Sequence, residues 1–167
     1  MHCPWSFPGG LRNMRSSTES RTVRREMCAA GESLLSPVLF RPHHGLCFCF
    51  FQGKGYSPEF TKNLRRILLG LSTNNLLICL TAGPDPVCAK CPNNLQGRCS
   101  SFEKVQRYDR TVLALCGLKE GDVLPYHSFC EHVRSCILNT GKRREVCADC
   151  SWNGLCADEP PRFSQTV

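Results

Sequence analysis

A chain of 167 residues has the size of one domain with a single modest core. Its hydrophobic fraction of 41% is globular, but 14 cysteines is the density of a disulfide scaffold or a metal protein. The formal charge of +7 counts every thiol as neutral. Two sites that each hold a doubly charged centre on four thiolates would bring it to roughly +3, so the basic balance does not by itself call for nucleic acid.

Compartment separates the two readings of the cysteines. The N-terminus, MHCPWSFPGGLRNMRSSTESRTVRRE, carries arginines but no apolar segment with a small-residue cleavage site, so it does not read as a secretory signal. The longest later apolar run, Leu76 to Leu80, is far too short to span a bilayer. A reducing cytoplasm with no membrane association is the expectation, and there closely spaced cysteines are ligands rather than disulfides.

In chain order, residues 1–37 are rich in Ser, Arg, Gly and Pro without an apolar period and read as a disordered extension. Met14 and Met27 lie within it, so a start assigned too far upstream would explain such a tail. Residues 38–158 read as a single metal-binding domain, and residues 159–167 as a flexible tail. VLF at 38–40 is a short strand, and GLCFCFFQ is apolar enough to be buried in either conformation. Ser57 as cap, Pro58 in the first turn and Glu59 beside them start a helix whose Phe60, Leu64, Ile67, Leu68 and Leu71 share one face. Asn74 and Asn75 turn the chain into a buried strand at Leu76 to Thr81, which AGPDP ends. A second helix opens at Ser101, with Val105, Tyr108, Val112, Leu115 and Cys116 as its stripe and Gly117 as its stop. A third runs from about Pro125 to Asn139 with Phe129, Val133, Cys136 and Ile137 on one face, closed by Gly141. The fold class is α+β and mainly helical: three main helices, one or two short strands and two cysteine knuckle loops.

The loops carry the chemistry. CAKCPNNLQGRC, Cys88 to Cys99, and CADCSWNGLC, Cys147 to Cys156, repeat one phrase: Cys, Ala, any residue, Cys, then Asn, Gly and a third Cys. A Cys-x-x-Cys pair converges on one centre because its tight turn aims amide N–H groups at the sulfurs. Gly97 and Gly154 allow close backbone approach, and Asn94 and Asn153 suit positive φ. Each phrase offers three soft ligands where a site wants four. Cys47 is the candidate fourth, with His43 and His44 beside it if Pro42 starts a helix. In one arrangement Cys47 completes the first triplet and a histidine the second; in another, Cys88, Cys91, Cys147 and Cys150 share one ion. Buried-thiol and core-histidine roles compete with ligation, and a histidine could also donate to a cluster sulfur. Cys79, Cys116, Cys130 and Cys136 read as small hydrophobes, Cys49 is unassigned, and Cys3 and Cys28 fall in the extension. Trp152 and Phe102 could shield a centre from water.

With RPHHGLC (41–47), FFQGKGYSPEF (50–60), CAKCPNN followed by GRC (88–99) and CADC (147–150) in view, the chain resembles an uncharacterised family of small bacterial and archaeal proteins, the domain of unknown function 1284, over about Val38 to Ala157. The resemblance implies a compact domain of this core length. It also implies an iron-sulfur cluster on Cys47, Cys88, Cys91, Cys99, Cys147, Cys150 and Cys156. Gly45 departs from the apolar residue expected there, which argues against a rigid helix around His43, His44 and Cys47.

Three functions follow. The first is a 4Fe-4S protein with an electron-transfer or redox-sensing role and a protein redox partner. Second is a structural zinc module that binds a protein, or nucleic acid, although no basic aromatic motif of the usual nucleic-acid modules is present. In the third, a metal with an open position acts as a Lewis acid, with His43, His44, Asp85 or Asp149 as acid or base. Arg65, Arg66 and the run Lys142 to Arg144 read as solvated faces, or else as a patch for an acidic partner.

Overall fold

A computed structural model describes residues 36–157 and Pro161. The expectations for the extension up to residue 35, including Cys3 and Cys28, and for most of the C-terminal tail lie outside the described residues. Strand β1 (Val38–Phe40) leads directly into α1 (Pro42–Cys49), followed by α2 (Pro58–Asn74) and β2 (Leu77–Leu80). The first cysteine phrase holds a 3₁₀ turn (Cys88–Lys90) and the hairpin β3 (Asn94–Leu95) and β4 (Arg98–Cys99). Then come α3 (Phe102–Cys116), β5 (Val123–Pro125), α4 (Tyr126–Val133) with a π turn at Arg134–Leu138, and two five-residue helices, α5 (Arg143–Cys147) and α6 (Asn153–Ala157).

The class is the expected α+β, mainly helical, with the three main helices where periodicity puts them. Ser57 Oγ accepts the Phe60 amide at 3.1 Å, and Phe60, Leu64, Ile67 and Leu71 are the buried face of α2. Asn75 closes that helix at φ 45° and Gly117 closes α3 at φ 67°, while Gly141, at φ 72°, follows the π turn beyond α4 and bonds Leu138 O through its amide. Ser101 sits at the N-cap of α3 but makes no capping bond. The strands exceed the expected one or two. β1 and β2 pair in parallel, Phe40 opposite Leu80, and β5 adds antiparallel to β2 with Cys79 opposite Val123. β5 and the hairpin escape notice because strands of two or three residues show no period.

The first five residues of GLCFCFFQ, Gly45 to Cys49, belong to α1, and Gly45 does not soften that helix. A Cβ there would stand 2.4 Å from Cε1 of Phe129, so the glycine is what lets α1 press against α4. Phe40 is fully buried at the centre, with ring centroids 5.5 Å from Phe48, 5.9 Å from Tyr126 and 5.8 Å from Phe129. Cys49, buried, donates its thiol to Gly45 O at 3.2 Å, and Cys116 is buried too, as small hydrophobes are. Cys79 and Cys136 differ from expectation in being disulfide-bonded; both lie in the core and are removed from the ligand pool all the same.

Gly45→Ala should cost about 1–3 kcal/mol through overpacking against Phe129. Gly70→Ala, in mid-α2 with open space around its would-be Cβ, should instead gain about 0.5–1 kcal/mol. Urea unfolding of the two variants checks the opposite signs.

Candidate metal centre

The parallel pair β1 and β2 ends side by side, and the chemistry follows at those carboxyl ends, where open α/β sheets place their ligands. Arg41, Pro42, His43 and His44 leave β1; the loop after β2 brings Asp85 to Cys88. Pro42 fills the first helical position of α1, where no amide donor is needed. Arg41 at the cap offers no side-chain acceptor, so the acceptors come from elsewhere in the fold.

They are two buried carboxylates. Asp109 of α3, fully inaccessible, accepts the His43 amide at 3.0 Å and His43 Nδ1 at 2.6 Å on one oxygen, and Arg41 Nε at 2.9 Å and Nη2 at 2.5 Å on the other. Asp85 accepts the Arg41 amide at 2.9 Å and His44 Nδ1 at 2.7 Å on Oδ2, and the amides of Val87 and Cys88 at 2.9 and 3.2 Å on Oδ1. Burial works against both charges. The His44 ring and the amides nevertheless hold Asp85 down to about 2, and His43 with Arg41 holds Asp109 below the ordinary carboxylate range. Ionised carboxylates only accept, so Nδ1 of each histidine carries the proton that is shared. Burial, with His44 beside it, pulls His43 down to about 4. Its imidazole is therefore neutral at pH 7, with a lone pair on Nε2. The two rings lie 4.3 Å apart, centroid to centroid.

The phrases repeat in three dimensions. Cys91 N bonds Cys88 O at 3.0 Å and Asn94 N bonds Cys91 O at 3.0 Å; Cys150 N bonds Cys147 O at 3.1 Å and Asn153 N bonds Cys150 O at 3.0 Å. As expected, amides face sulfur: Trp152 N donates to Cys150 Sγ at 3.4 Å, and the Asn93 and Asn94 amides ease the Cys91 thiolate. The two asparagines, however, do not take positive φ; that falls to Gln96 and Gly97. Instead each uses its side-chain amide to close its own turn, Asn94 Nδ2 to Cys88 O at 3.0 Å and Asn153 Nδ2 to Ala148 O at 3.4 Å. Gly154 departs from expectation as well. It lies in α6 with nothing near its would-be Cβ, and nothing in the structure explains the glycine.

A cavity of about 220 Å³ lies between the phrases and α1, and its walls include Cys47, Cys88, Cys91, Cys99, Cys147, Cys150 and Cys156 together with His43, His44 and Arg41. Every candidate ligand thus faces one space. Their mutual influence divides the thiols into two groups. Burial drives the Cys47 thiol well above its ordinary value, and Cys147, Cys150 and Cys156 push the same way. Cys47 therefore lies nearer the second phrase than the first. In the other group Asp85 acts on both Cys88 and Cys91, and Cys99 on Cys91; burial and that carboxylate push Cys88 up to about 12.

The donors fit an inorganic centre by type. Two thiolates on one tetrahedral zinc stand about 3.8 Å apart, given a Zn–S bond near 2.3 Å. Among the described residues the one trio of potential ligands gathered within 4.8 Å is His44, Asp85 and Cys88; no three sulfurs come that close. Trp152 lines that cavity and stacks edge-on with Tyr56, centroids 5.1 Å apart, so it can exclude water. Phe102 is 47% exposed and is not a wall. Asp149 is not a wall either: it pairs with Arg107 at 2.6 Å and accepts the Tyr108 hydroxyl at 2.9 Å, tying the second phrase to α3. Of the proposed acids and bases only His43 and His44 keep a nitrogen to offer, since both Asp85 oxygens are fully used.

Asp109 is the functional residue that sequence reasoning passes over. Its signal is a carboxylate inside the α3 stripe, four places after Val105 and three before Val112. A charge at a core-facing position demands a partner.

The family model described as "Protein of unknown function (DUF1284)" matches residues 55–156. Neither the curated proteins nor the solved structures yield a match. No described helix is long and apolar enough to cross a membrane.

Removing the Asp109 carboxylate strands a buried Arg41, so Asp109→Ala should cost about 3–5 kcal/mol in urea unfolding. Stability should also fall with acid in two stages. His43 has a folded-state value of about 4, below the 6.5 of a free imidazole, so the unfolded chain takes up its proton first and stability declines from about pH 6.5 downward. Asp85, held down to about 2, contributes stability above roughly pH 4 that is lost as pH falls toward 2. Unfolding midpoints from pH 8 to 2 follow both stages; a midpoint flat from pH 7 to 3 would contradict them.

Proposed function

The chain belongs to this family of unknown function, whose model covers more than half of it, and on the geometry of the cavity we propose that it is an iron-sulfur protein. Cys47, Cys147, Cys150 and Cys156 hold a 4Fe-4S cluster that serves electron transfer to a protein partner, or redox sensing. The observation that carries the reading is the convergence of these four thiols on one cavity, no three of them within 4.8 Å of one another. The bound cluster would supply a one-electron redox couple. The residues around it do the rest: the Trp152 amide donates toward Cys150 sulfur, Trp152 and Tyr56 keep water off, and the Asp149 link to Arg107 and Tyr108 fixes the second phrase on α3.

Burial keeps Cys147 protonated, pushed up to about 12, so binding must release thiol protons, and affinity rises with pH. Zinc in the same thiolates is the alternative, a closed structural site in a small domain. Colour and sulfide separate the two, since zinc protein is colourless and sulfide-free.

Protein purified without oxygen should be brown, with iron and acid-labile sulfide in equal amounts and a visible band that bleaches with dithionite. Colourless protein with zinc and no sulfide would replace the cluster with the zinc alternative. Cys147→Ser and Cys150→Ser should strip metal and lower the thermal midpoint, while Cys130→Ser does neither; equal losses in all three would refute these roles.

A further inference from the structure

The first phrase has three thiols facing the cavity and, among the described residues, no fourth cysteine to complete them. Cys47 stands with the second phrase. Cys49 and Cys116 are buried, Cys130 shares a hydrogen bond with Tyr126, and Cys79 and Cys136 are disulfide-bonded. His44 shares the cavity wall with the first phrase, and one of its ring nitrogens, a carboxylate oxygen of Asp85 and Cys88 Sγ lie within 4.8 Å of one another; Nδ1 is the nitrogen bonded to Asp85, which leaves Nε2 free. Asp85 cannot itself be the ligand without breaking bonds, because its two oxygens already accept four donors. Its role is to orient: it grips the turn at the Cys88 amide and the imidazole at Nδ1 in one carboxylate. A carboxylate on Nδ1 is the arrangement that aims the far nitrogen, Nε2, at a metal. His43 is held in the same manner, but by Asp109 of α3, which makes no bond to the first phrase.

We propose that the first phrase carries a second iron-sulfur cluster, with Cys88, Cys91 and Cys99 as thiolate ligands and His44 Nε2 as the fourth. The proposal rests on the iron-sulfur reading above and adds to it a second centre and a nitrogen ligand. The wide setting of the sulfurs applies to this phrase as to the other, which disfavours a single ion among the three. On assembly from sulfide with ferrous and ferric iron in the ratio the oxidised cluster holds, no net electron transfer is needed, and the three thiols give their protons to solvent as thiolates form; the imidazole keeps its Nδ1 proton on Asp85. Replacing a thiolate by a neutral imidazole removes one negative charge from the centre, so this cluster is reduced more readily than its neighbour, as histidine ligation does elsewhere. Two centres of different potential would then share one cavity.

The test uses the full-length chain, reconstituted without oxygen with ferrous and ferric iron and sulfide. Electron–nuclear double resonance on the reduced protein should show strong nitrogen coupling in wild type, unchanged in His43→Ala and lost in His44→Ala. Should His44→Ala fail to fold, His44→Cys keeps a ligand: it should retain sulfide, lose the nitrogen coupling and shift one reduction wave to lower potential. Coupling that persists in either His44 variant, or is absent from a wild-type chain that contains sulfide, overturns the histidine ligand. Sulfide at the level of one cluster, all of it lost in Cys150→Ser, leaves the reading of the second phrase standing and overturns the second centre. A chain that takes up no sulfide at all overturns both.

Discussion

Arg41 is the point on which the site turns. A guanidinium only 2% exposed, between the end of β1 and the start of α1, needs a carboxylate, and Asp109 supplies it from α3. Having bonded Arg41, the same carboxylate caps α1 and fixes His43; Asp85, on the Arg41 amide, fixes His44 and the first cysteine turn. One buried ionic bracket thus sets the position of α1, of two histidines and of one cysteine phrase. Buried ion pairs are seldom net stabilising compared with apolar packing. Here the bracket costs the core some apolar area and in return fixes the geometry of a cavity wall.

The rest of the fold brings the second phrase to meet that wall. Gly45 lets α1 close on Phe129 of α4, and the chain continues through the π turn into α5, whose last residue is Cys147. α3 packs against both α1 and α5, and its Arg107 and Tyr108 hold Asp149 while its Asp109 holds Arg41 and His43. The single helix α3 therefore aligns the two halves of the cavity. Each half keeps its own turn geometry, closed by an asparagine side chain in both copies.

Much of this was legible in the letters. The helices at 58–74, 102–116 and 126–138 announce themselves by apolar period and by caps, and the paired phrases announce a six-thiol constellation with Cys47 beside it. Three things were hidden. Strands β3, β4 and β5 are too short to carry an alternation. The assignment of Cys47 to the second phrase depends on how α1 is laid against α5, which no local pattern contains. Gly45 looked like a flaw in a helix because a glycine's reason can lie on another element; here it is the Phe129 ring. Asp109 was visible but misfiled, a polar residue inside a stripe that was read as apolar.

The central claim is that seven thiols on two phrases and α1 face one enclosed centre while the remaining thiols of the domain serve packing. Alkylation of the anaerobic, folded protein followed by mass spectrometry, before and after acid removal of metal, tests it site by site. The account predicts that Cys47, Cys88, Cys91, Cys99, Cys147, Cys150 and Cys156 are protected as isolated and become labelled together once metal is removed. Labelling of these seven in the native protein at the rate of free thiols, or their recovery as disulfides with one another, would contradict it.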